Sequence, residues 1–334
     1  MRRLIVLVIA AALLWSGYWV VGARALRGGI ETWFEARQSE GWVAEYSDHA
    51  LRGFPNRFDN TFSDLSLADP ATGLAWQAPF FQLFALSYRP THIIAVWPNS
   101  QLIATPLAKF DIDSTRMRAS LRVAPRGSLA VERAVFESES VAIRTREDGG
   151  ELTLEQLNFA MERAAGFERR YRFGVDGTGV SPSTPMRKLI DPQGRLPEAL
   201  GTLKADTIIE FDAPWDRFSI ERARPQPVLI DLKLAEATWG DLQLAAAGSL
   251  TIDARGIPTG RITVKARNWP EIIQLARQSG ILPEAMVNLT ERALGTLAQM
   301  AGNPKTLDIP LDFKGGLIRL GPLPIGHAPL IRLR

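Results

Sequence analysis

The stretch DLQLAAAGSLTID, from Asp241 to Asp253, decides the fold because its apolar and polar residues alternate. Every second residue from Leu242 to Ile252 is apolar or glycine, and the residues between them include Gln243, Ser249 and Thr251. A period of two is the period of a β-strand, whose successive side chains point to opposite faces of a sheet. The stretch therefore predicts a strand with one apolar and one polar face, as in a sheet covered on one side.

The same pattern recurs along most of the chain. A turn through residues 253–260 leads to residues 261–267, which continue the apolar face, and residues 228–235 alternate upstream. Proline and glycine separate the alternating segments, which indicates antiparallel strands joined by turns. Strands are predicted at residues 58–67, 80–86, 92–97, 117–123, 129–136, 141–145, 228–235, 241–253, 261–267, 307–313 and 317–320.

Composition excludes several classes of function. The chain has 334 residues, three histidines and no cysteine, so disulfides, thiolate metal sites and cysteine nucleophiles are impossible. Four of the 39 basic residues and none of the 36 acidic ones lie in residues 1–27, which leaves a net charge of −1 on the rest. A near-neutral body lacks the basic face that nucleic acid requires. We expect no nucleic-acid partner, no metal site and no cofactor.

The N-terminal segment has the length and composition of a membrane span. Leu4–Ala23 carries no charged side chain, and a helix of that length is about 30 Å long, the thickness of a bilayer core. Arg2 and Arg3 precede it, which favours a cytoplasmic N-terminus. We predict an uncleaved, single-pass signal anchor in the inner membrane, with the bulk of the chain in the periplasm. The alternative is a signal peptide cleaved near Ala23-Arg24-Ala25.

The chain is predicted to have four segments. A juxtamembrane helix should follow the anchor over Ala25–Glu40 and stop at Gly41. The four segments are residues 1–27 (the anchor), 28–176 (a β-rich half that includes the juxtamembrane helix), 177–200 (a connecting loop rich in glycine and proline) and 201–334 (a β-meander half).

Two helices, at residues 270–279 and 283–301, interrupt the C-terminal strands. Each begins with proline at the first helical position, and Gly280 ends the first one. The predicted fold class is therefore mainly β, a β-rich α+β protein. An N-terminal transmembrane helix precedes extended, curved antiparallel sheets, with the C-terminal helical pair packed on the sheet.

Two sets of apolar residues are candidates for a binding groove. Aromatic residues concentrate before residue 100, and the C-terminal strands present a one-sided apolar face. Core packing is the ordinary role of such residues. The alternative is an apolar groove for acyl chains, with the second C-terminal helix as a lid. The candidate groove residues are Trp76, Phe80, Phe84, Trp97, Leu242, Leu244, Leu250, Ile252, Ile262 and Val264, and the candidate lid residues are Met286, Leu289, Leu297 and Met300.

One motif has the form of a catalytic sequence. Asp111-Ile112-Asp113-Ser114-Thr115 matches the D-x-D-x-T pattern in which a phosphatase uses one aspartate as nucleophile and the next as acid. That chemistry needs a parallel α/β unit, whereas an alternating strand follows here. We predict solvated carboxylates at a strand end and no catalytic residue. The histidines, each expected to be satisfied by its surroundings, are His49, His92 and His327.

Short stretches after the anchor carry a family resemblance. They are Arg52-Gly53-Phe54-Pro55, Phe58-Asp59, Trp76-Gln77-Ala78-Pro79, Ser87–His92, Trp239-Gly240 and Gly248–Gly260. Together they resemble an uncharacterised bacterial envelope family known as domain of unknown function twenty-one twenty-five. More distantly, a single anchor followed by β-rich repeats of the form G-x-L-x-I-D-x-x-G is similar to the AsmA-like proteins. That similarity implies a curved sheet with an apolar groove for lipids, used in envelope lipid transport or outer-membrane homeostasis.

These observations lead to one leading hypothesis and two alternatives. We expect a non-enzymatic envelope protein that binds lipid or another hydrophobic ligand in a β-sheet groove, with the inner membrane and that ligand as its partners. The first alternative is an interaction module that docks to another envelope protein through a sheet edge or the C-terminal tail. The second is an envelope hydrolase, which would depend on Asp111 and Asp113.

Overall fold

The computed structural model describes residues 1–125, 127–221, 223–280, 284–301 and 306–333. Strands account for 52% of the chain and helices for 22%, so the predicted mainly β class is confirmed. The strand pairs whose register is defined are all antiparallel. The helices are α1 (Arg2–Ser39), α2 (Thr184–Ile190), α3 (Arg217–Glu221), α4 (Trp269–Gln278) and α5 (Glu284–Ala301). The strands are β1 (Val43–Glu45), β2 (Asp48–Arg52), β3 (Arg57–Asp69), β4 (Leu74–Leu86), β5 (Arg89–Val96), β6 (Ser100–Ala104), β7 (Lys109–Asp113), β8 (Arg116–Val123), β9 (Val131–Thr145), β10 (Glu151–Arg163), β11 (Arg170–Val180), β12 (Leu200–Phe211), β13 (Pro227–Trp239), β14 (Leu242–Ile252), β15 (Pro258–Arg267), β16 (Thr306–Lys314), β17 (Leu317–Leu320) and β18 (Leu323–His327).

Contacts divide the chain into two compact units. The first contains Met1–Pro125 and Glu137–Gly149, and the second contains Arg126–Phe136 and Gly150–Arg334. Residues 177–200, predicted as a connection between halves, lie inside the second unit. There they hold the end of β11, helix α2 and a loop that leads into β12. Because β11 and β12 pair directly, this segment joins two neighbouring strands.

Helix α1 is one continuous helix of 38 residues, where the sequence predicted an anchor and a separate juxtamembrane helix. Its N-terminal part is long and apolar enough to cross a membrane, judged by length and composition. The helix ends at Ser39. There Gly41, at φ +87°, donates its N–H to Gln38 O, and Trp42 donates its N–H to Arg37 O. This is the glycine-dependent end that the sequence predicted at Gly41, and the prediction is confirmed.

The first unit is a sheet built around β3 and β4. On one side β3 pairs with the short strands β1 and β2, and on the other it pairs with β4. Strands β5 and β6 pair with opposite halves of β4. Strand β5 pairs in turn with β8, and β6 pairs with β7. Strand β7 then pairs with β9. Strand β9 is one continuous strand, where the sequence predicted two, at residues 129–136 and 141–145.

The pleat of the first sheet changes face at one position. Asp64 has φ +50°, and it lies opposite Pro79, which has no N–H to donate. The pairing between β3 and β4 is interrupted there and resumes beyond it. Phe62 and Leu65 therefore lie on the same face, although they are three residues apart, and both are buried in one apolar cluster.

The second unit contains the meander in which each strand from β10 to β18 pairs with the next. The register between β14 and β15 pairs Leu244 with Ala266 and Ala246 with Val264, so the predicted shared apolar face is confirmed. On β13 the pairing with β14 shifts between Leu232 and Ala235. This bulge moves the next residues by one position, because two residues then oppose one.

The helical pair covers one end of this apolar face. Leu294 and Ala298 of α5 are buried in a cluster with Ala266, Leu307 and Leu320 of the sheet. Leu275 of α4 is buried against Leu242 and Leu196 in a neighbouring cluster. The predicted packing of two C-terminal helices on the sheet is confirmed.

Candidate functional site

An apolar pocket lies between α1 and the inner face of β3 and β4, within the first unit. Its volume is about 410 Å³, in the range of sites that bind small molecules. Each residue of its lining is apolar or glycine. The lining residues are Ala25, Leu26, Gly29, Ile30, Trp33, Phe34, Phe62, Leu65, Leu67, Trp76, Phe81 and Leu83.

The helical wall exists because apolar and small residues recur with the period of a helix. Leu26, Ile30 and Phe34 are spaced four residues apart, so they lie on one face of α1. Phe34 closes the far end of the wall, with its ring 4.8 Å from Tyr46 and 5.9 Å from Phe62.

Gly29 leaves space in this wall, because a Cβ at that position would meet no atom within 4 Å. The same is true of its neighbour Gly28, which does not line the pocket. The two glycines therefore have similarly open surroundings, but only Gly29 lines the pocket.

The sheet wall is held by aromatic contacts and one polar partner behind it. The Trp76 ring lies 5.2 Å from Phe81, which in turn lies 5.2 Å from Trp97. The Trp76 indole N–H donates to Gln101 Oε1 at 2.7 Å. Because Gln101 takes this hydrogen bond, Trp76 presents an apolar ring to the pocket while its polar atom is satisfied.

The structure separates the aromatic residues of the predicted groove. Trp76 lines the pocket, and Trp97 contacts its wall through Phe81. The change of pleat at Pro79 places Phe80 and Phe84 on the opposite face of β4. There Phe84 lines a second cavity, of about 420 Å³, beside His92.

The remaining predicted groove residues lie in the second unit. Leu242, Leu250 and Ile252 are buried. Leu244 is 40% exposed, so the apolar face of the meander is partly open there. Ile262 and Val264 lie on β15 beside β14 and are half-buried.

The predicted lid residues Met286, Leu289, Leu297 and Met300 belong to α5, but their side chains lie outside what the structure describes, as does Pro283. The α5 side chains that are described as buried include Val287, Leu294 and Ala298. They follow a helical stripe and pack as core.

The D-x-D-x-T motif forms part of a pattern of ion pairs across the sheet. Arg146 of β9's C-terminal flank donates to both carboxylate oxygens of Asp111, at 2.8 and 2.6 Å. Asp113 pairs with Arg144 of β9. The hydrogen bond from Arg146 is the main reason that the pKa of Asp111 lies below its ordinary value. Both carboxylates are thereby held by arginines.

Two of the histidines have hydrogen-bonding partners. His49 Nε2 lies 3.0 Å from Asn60 Oδ1, and the imidazole stacks on Phe62 at 4.7 Å. His92 Nε2 lies 2.8 Å from Ser120 Oγ. His327 ends β18 and is exposed. Within the described part of the chain, no three His, Asp or Glu side chains are grouped so that they could hold a metal ion.

Sequence reasoning missed the helical wall of the pocket, including Ala25 and Gly29. It identified the helix 25–40, but the pairing of that helix with β3 and β4 is long-range. A local signal did exist, since the small residues Gly22, Ala25 and Gly29 recur at intervals of three and four and so leave room along one side of the helix.

The fold and the pocket define a class: a β-rich protein with an N-terminal apolar helix that forms one wall of an apolar pocket. The family described as "Uncharacterized protein conserved in bacteria" (DUF2125) matches residues 19–329. Because this match covers most of the chain, the protein belongs to that family, as the resemblance in its sequence indicated. No curated protein and no solved structure matches the chain.

Proposed function

We propose that the protein is anchored in the inner membrane by α1 and binds one acyl chain of a lipid, or a similar hydrophobic ligand, in the pocket between α1 and β3–β4. Its role would be in lipid transport or homeostasis of the cell envelope, with the body of the chain in the periplasm. The proposal is a binding function and not catalysis. The single observation that carries it is the apolar lining of the pocket, which offers a ligand no charged partner.

The position of the pocket along α1 supports a ligand that comes from the membrane. The uncharged stretch of the helix ends at Ala23, and the pocket wall begins at Ala25. If α1 crosses the bilayer, the pocket lies directly beyond the hydrocarbon core, where an acyl chain could enter it without crossing bulk water. Arg2 and Arg3 favour a cytoplasmic N-terminus.

Contacts of the apolar stretch with the body support an uncleaved anchor. Gly22 lies against Phe58, since a Cβ on Gly22 would be 2.8 Å from that ring. Trp19 stacks on the same ring at 5.9 Å. Cleavage near Ala23 would remove both helix residues and expose Phe58, which is buried in the intact chain.

A photoactivatable phospholipid, with a diazirine near the end of one acyl chain, tests the pocket. The full-length protein is placed in vesicles that contain this probe, irradiated and mapped by mass spectrometry. We expect adducts on the inner face of β3 and β4, including Trp76. Gly29→Phe should reduce these adducts several-fold, because the new ring fills open space in the pocket wall.

Gly28→Phe is the matched control, since Gly28 has the same open surroundings outside the pocket lining. Adducts at residues 4–14 report insertion of α1 in every sample. Labelling of residues 4–14 without adducts on β3 or β4 would overturn lipid binding. Equal labelling in the Gly29 and Gly28 variants would move the ligand to another surface. Cross-linking that captured an envelope protein and no lipid would favour the docking alternative.

A further inference from the structure

Two loops of the first unit are joined to each other by hydrogen bonds. Ser87 is fully buried, its N–H donates to Asn56 O at 2.9 Å, and its hydroxyl donates to Pro55 O at 3.1 Å. Gly53 begins the first loop at φ +100°, and a Cβ there would lie 2.8 Å from Arg57 O. Only glycine fits that conformation and that space. We call residues 53–56 and 87–88 together the paired loops.

The paired loops and the strand that follows them are fixed to the apolar part of α1. The Tyr18 hydroxyl donates to Ser87 O at 2.6 Å. The Trp15 indole N–H donates to Asn56 Oδ1 at 3.1 Å, and that of Trp19 donates to Arg57 O at 2.7 Å. These three aromatic residues occupy one face of the helix, because they are three and four positions apart. The paired loops therefore lie at the level of Trp15–Trp19.

The length of the helix then sets the depth of the loops. The free apolar segment before the first contact runs from Leu4 to Leu14, eleven residues, and is about 16 Å long at a rise of 1.5 Å per residue. A bilayer core is about 30 Å thick, so this segment alone is too short to span it. The span is completed only if Trp15–Ala23 also lies at membrane depth, together with the loops bound to it.

The paired loops carry exposed rings suited to that depth. Phe54 is 58% exposed and Tyr88 is 63% exposed, although both are large and partly or wholly apolar. Trp19 packs edge-on against Phe54 at 5.3 Å, so the ring continues the apolar surface of the helix. Arg52 and Arg89 are exposed beside the rings, where a guanidinium can reach lipid phosphate. Amphipathic aromatic rings are typical of both interfaces of a membrane.

We infer that the paired loops are embedded in the distal leaflet of the membrane that α1 crosses, with Phe54 and Tyr88 inserted below the lipid headgroups. This inference rests on the proposed membrane anchor. The bilayer is the occupant that the observations favour, because the rings adjoin an apolar helix that is exposed on every side from Leu4 to Leu14. A protein partner would have to cover the loops and leave that helix to the lipid.

Single-cysteine labelling tests this directly, because the chain has no cysteine of its own. Phe54→Cys and Tyr88→Cys variants of the full chain are labelled with the fluorophore NBD and placed in vesicles of phosphatidylethanolamine and phosphatidylglycerol. Both side chains are exposed, so the substitutions should not disturb the fold. We expect a blue-shifted emission and a several-fold loss of iodide quenching in vesicles. The reference is the same labelled variants unfolded in 6 M urea without detergent, where water surrounds the label.

Leu107→Cys is the matched control. Leu107 is 91% exposed, and it follows β6, whose last residue Ala104 pairs with Ala75 at the start of β4. The paired loops follow the other end of that strand, about 35 Å away along it. The label at position 107 should remain fully quenched by iodide.

Two failures are distinguishable in this experiment. If alkaline carbonate releases the protein from the vesicles, the anchor itself is wrong, and the depth of the loops falls with it. If the protein resists carbonate while labels at 54 and 88 are quenched as strongly as the label at 107, the anchor stands and the loops lie outside the membrane. Protection of the labels that appears only when a second protein is added would also overturn the inference.

Discussion

Single ion pairs between arginine and carboxylate side chains connect neighbouring strands. In the first unit, Arg118 pairs with Glu137 at 2.6 Å, and Arg146 pairs with Asp111. In the second unit, Arg172 pairs with Asp206 at 2.7 Å, and Arg261 with Asp312 at 2.6 Å. These side chains are largely solvent-exposed, so each pair contributes little to stability. Their effect is to neutralise the polar face, which fits the near-neutral charge of the chain after the anchor.

The pKa of Asp111 provides a test at this scale. The hydrogen bond from Arg146 favours the charged carboxylate, so the pKa in the folded protein lies below the ordinary value of about 3.9. Its stabilising effect is present above that ordinary value and is lost as the pH falls through the lower folded pKa. Arg146→Gln should raise the pKa of Asp111, measured by carboxyl NMR titration. Arg118→Gln, which removes the partner of Glu137, should leave it unchanged, and an equal rise in both variants would contradict the assignment.

Among the strands, β14 and β15 approach each other closely because each carries a glycine at the point of contact. Gly248 has φ +152°, and a Cβ there would lie 2.1 Å from Arg261 O. Gly260 is the reciprocal case on β15, with φ +144° and a distance of 2.2 Å to Ser249 O. A side chain at either position would collide with backbone, which cannot move without displacing the neighbouring strand. These glycines therefore set the geometry of the meander.

Gly248→Ala should destabilise this part of the meander by roughly 1–3 kcal/mol, because it adds a clash and a strained backbone angle. Hydrogen exchange of the full chain should then be about fivefold faster or more in peptides from β13 to β15. Ser249→Ala is the control on the next residue, whose side chain is exposed, and it should change the stability by less than about 0.5 kcal/mol. Unchanged exchange in Gly248→Ala would contradict the inference that the close approach of the two strands requires glycine at this position.

Helix α1 has two successive roles at the scale of the whole molecule. Residues 4–14 make the exposed apolar segment, and residues 15–34 pack against the strands and loops of the first unit. The same helix thus supplies the proposed anchor, the contact with the paired loops and one wall of the pocket. The proposed anchoring and the proposed ligand binding therefore depend on the same helix beyond residue 14.

Two truncations distinguish these roles. Deletion of residues 1–14 should abolish membrane insertion and leave hydrogen-exchange protection of β2–β4 close to that of the full chain in detergent. Deletion of residues 1–27 should also increase exchange in β2–β4, because Phe58 loses Trp19 and Gly22. Peptides from β13 to β16, in the second unit, are the internal reference and should not change. Equal protection of β2–β4 in both truncations would show that the helix does not support the sheet.

Local sequence was sufficient where the determining interaction is local. Alternation over residues 241–253 predicted β14 at Leu242–Ile252, and Gly41 predicted the end of α1. It missed β6 and β7, which flank a turn and contain only five residues each, too few to show a period. It also assigned no strand to residues 151–163, 170–180 and 200–211, where the structure has β10, β11 and β12. It also grouped Trp76 with Phe80 in one candidate groove, whereas the change of pleat at Pro79 places them on opposite faces of β4.

The sequence by itself determined the mainly β fold, the apolar N-terminal helix, the near-neutral body and the membership of a bacterial family. Side-chain alternation, helix ends and charge depend on neighbours within a few residues, so they can be read directly. Only the tertiary structure decided that α1 is continuous, that its second half forms a pocket with β3 and β4, and that the loops at 53–56 and 87–88 meet at Trp15–Trp19. Those features arise from packing between residues up to about 70 positions apart, which no local pattern specifies.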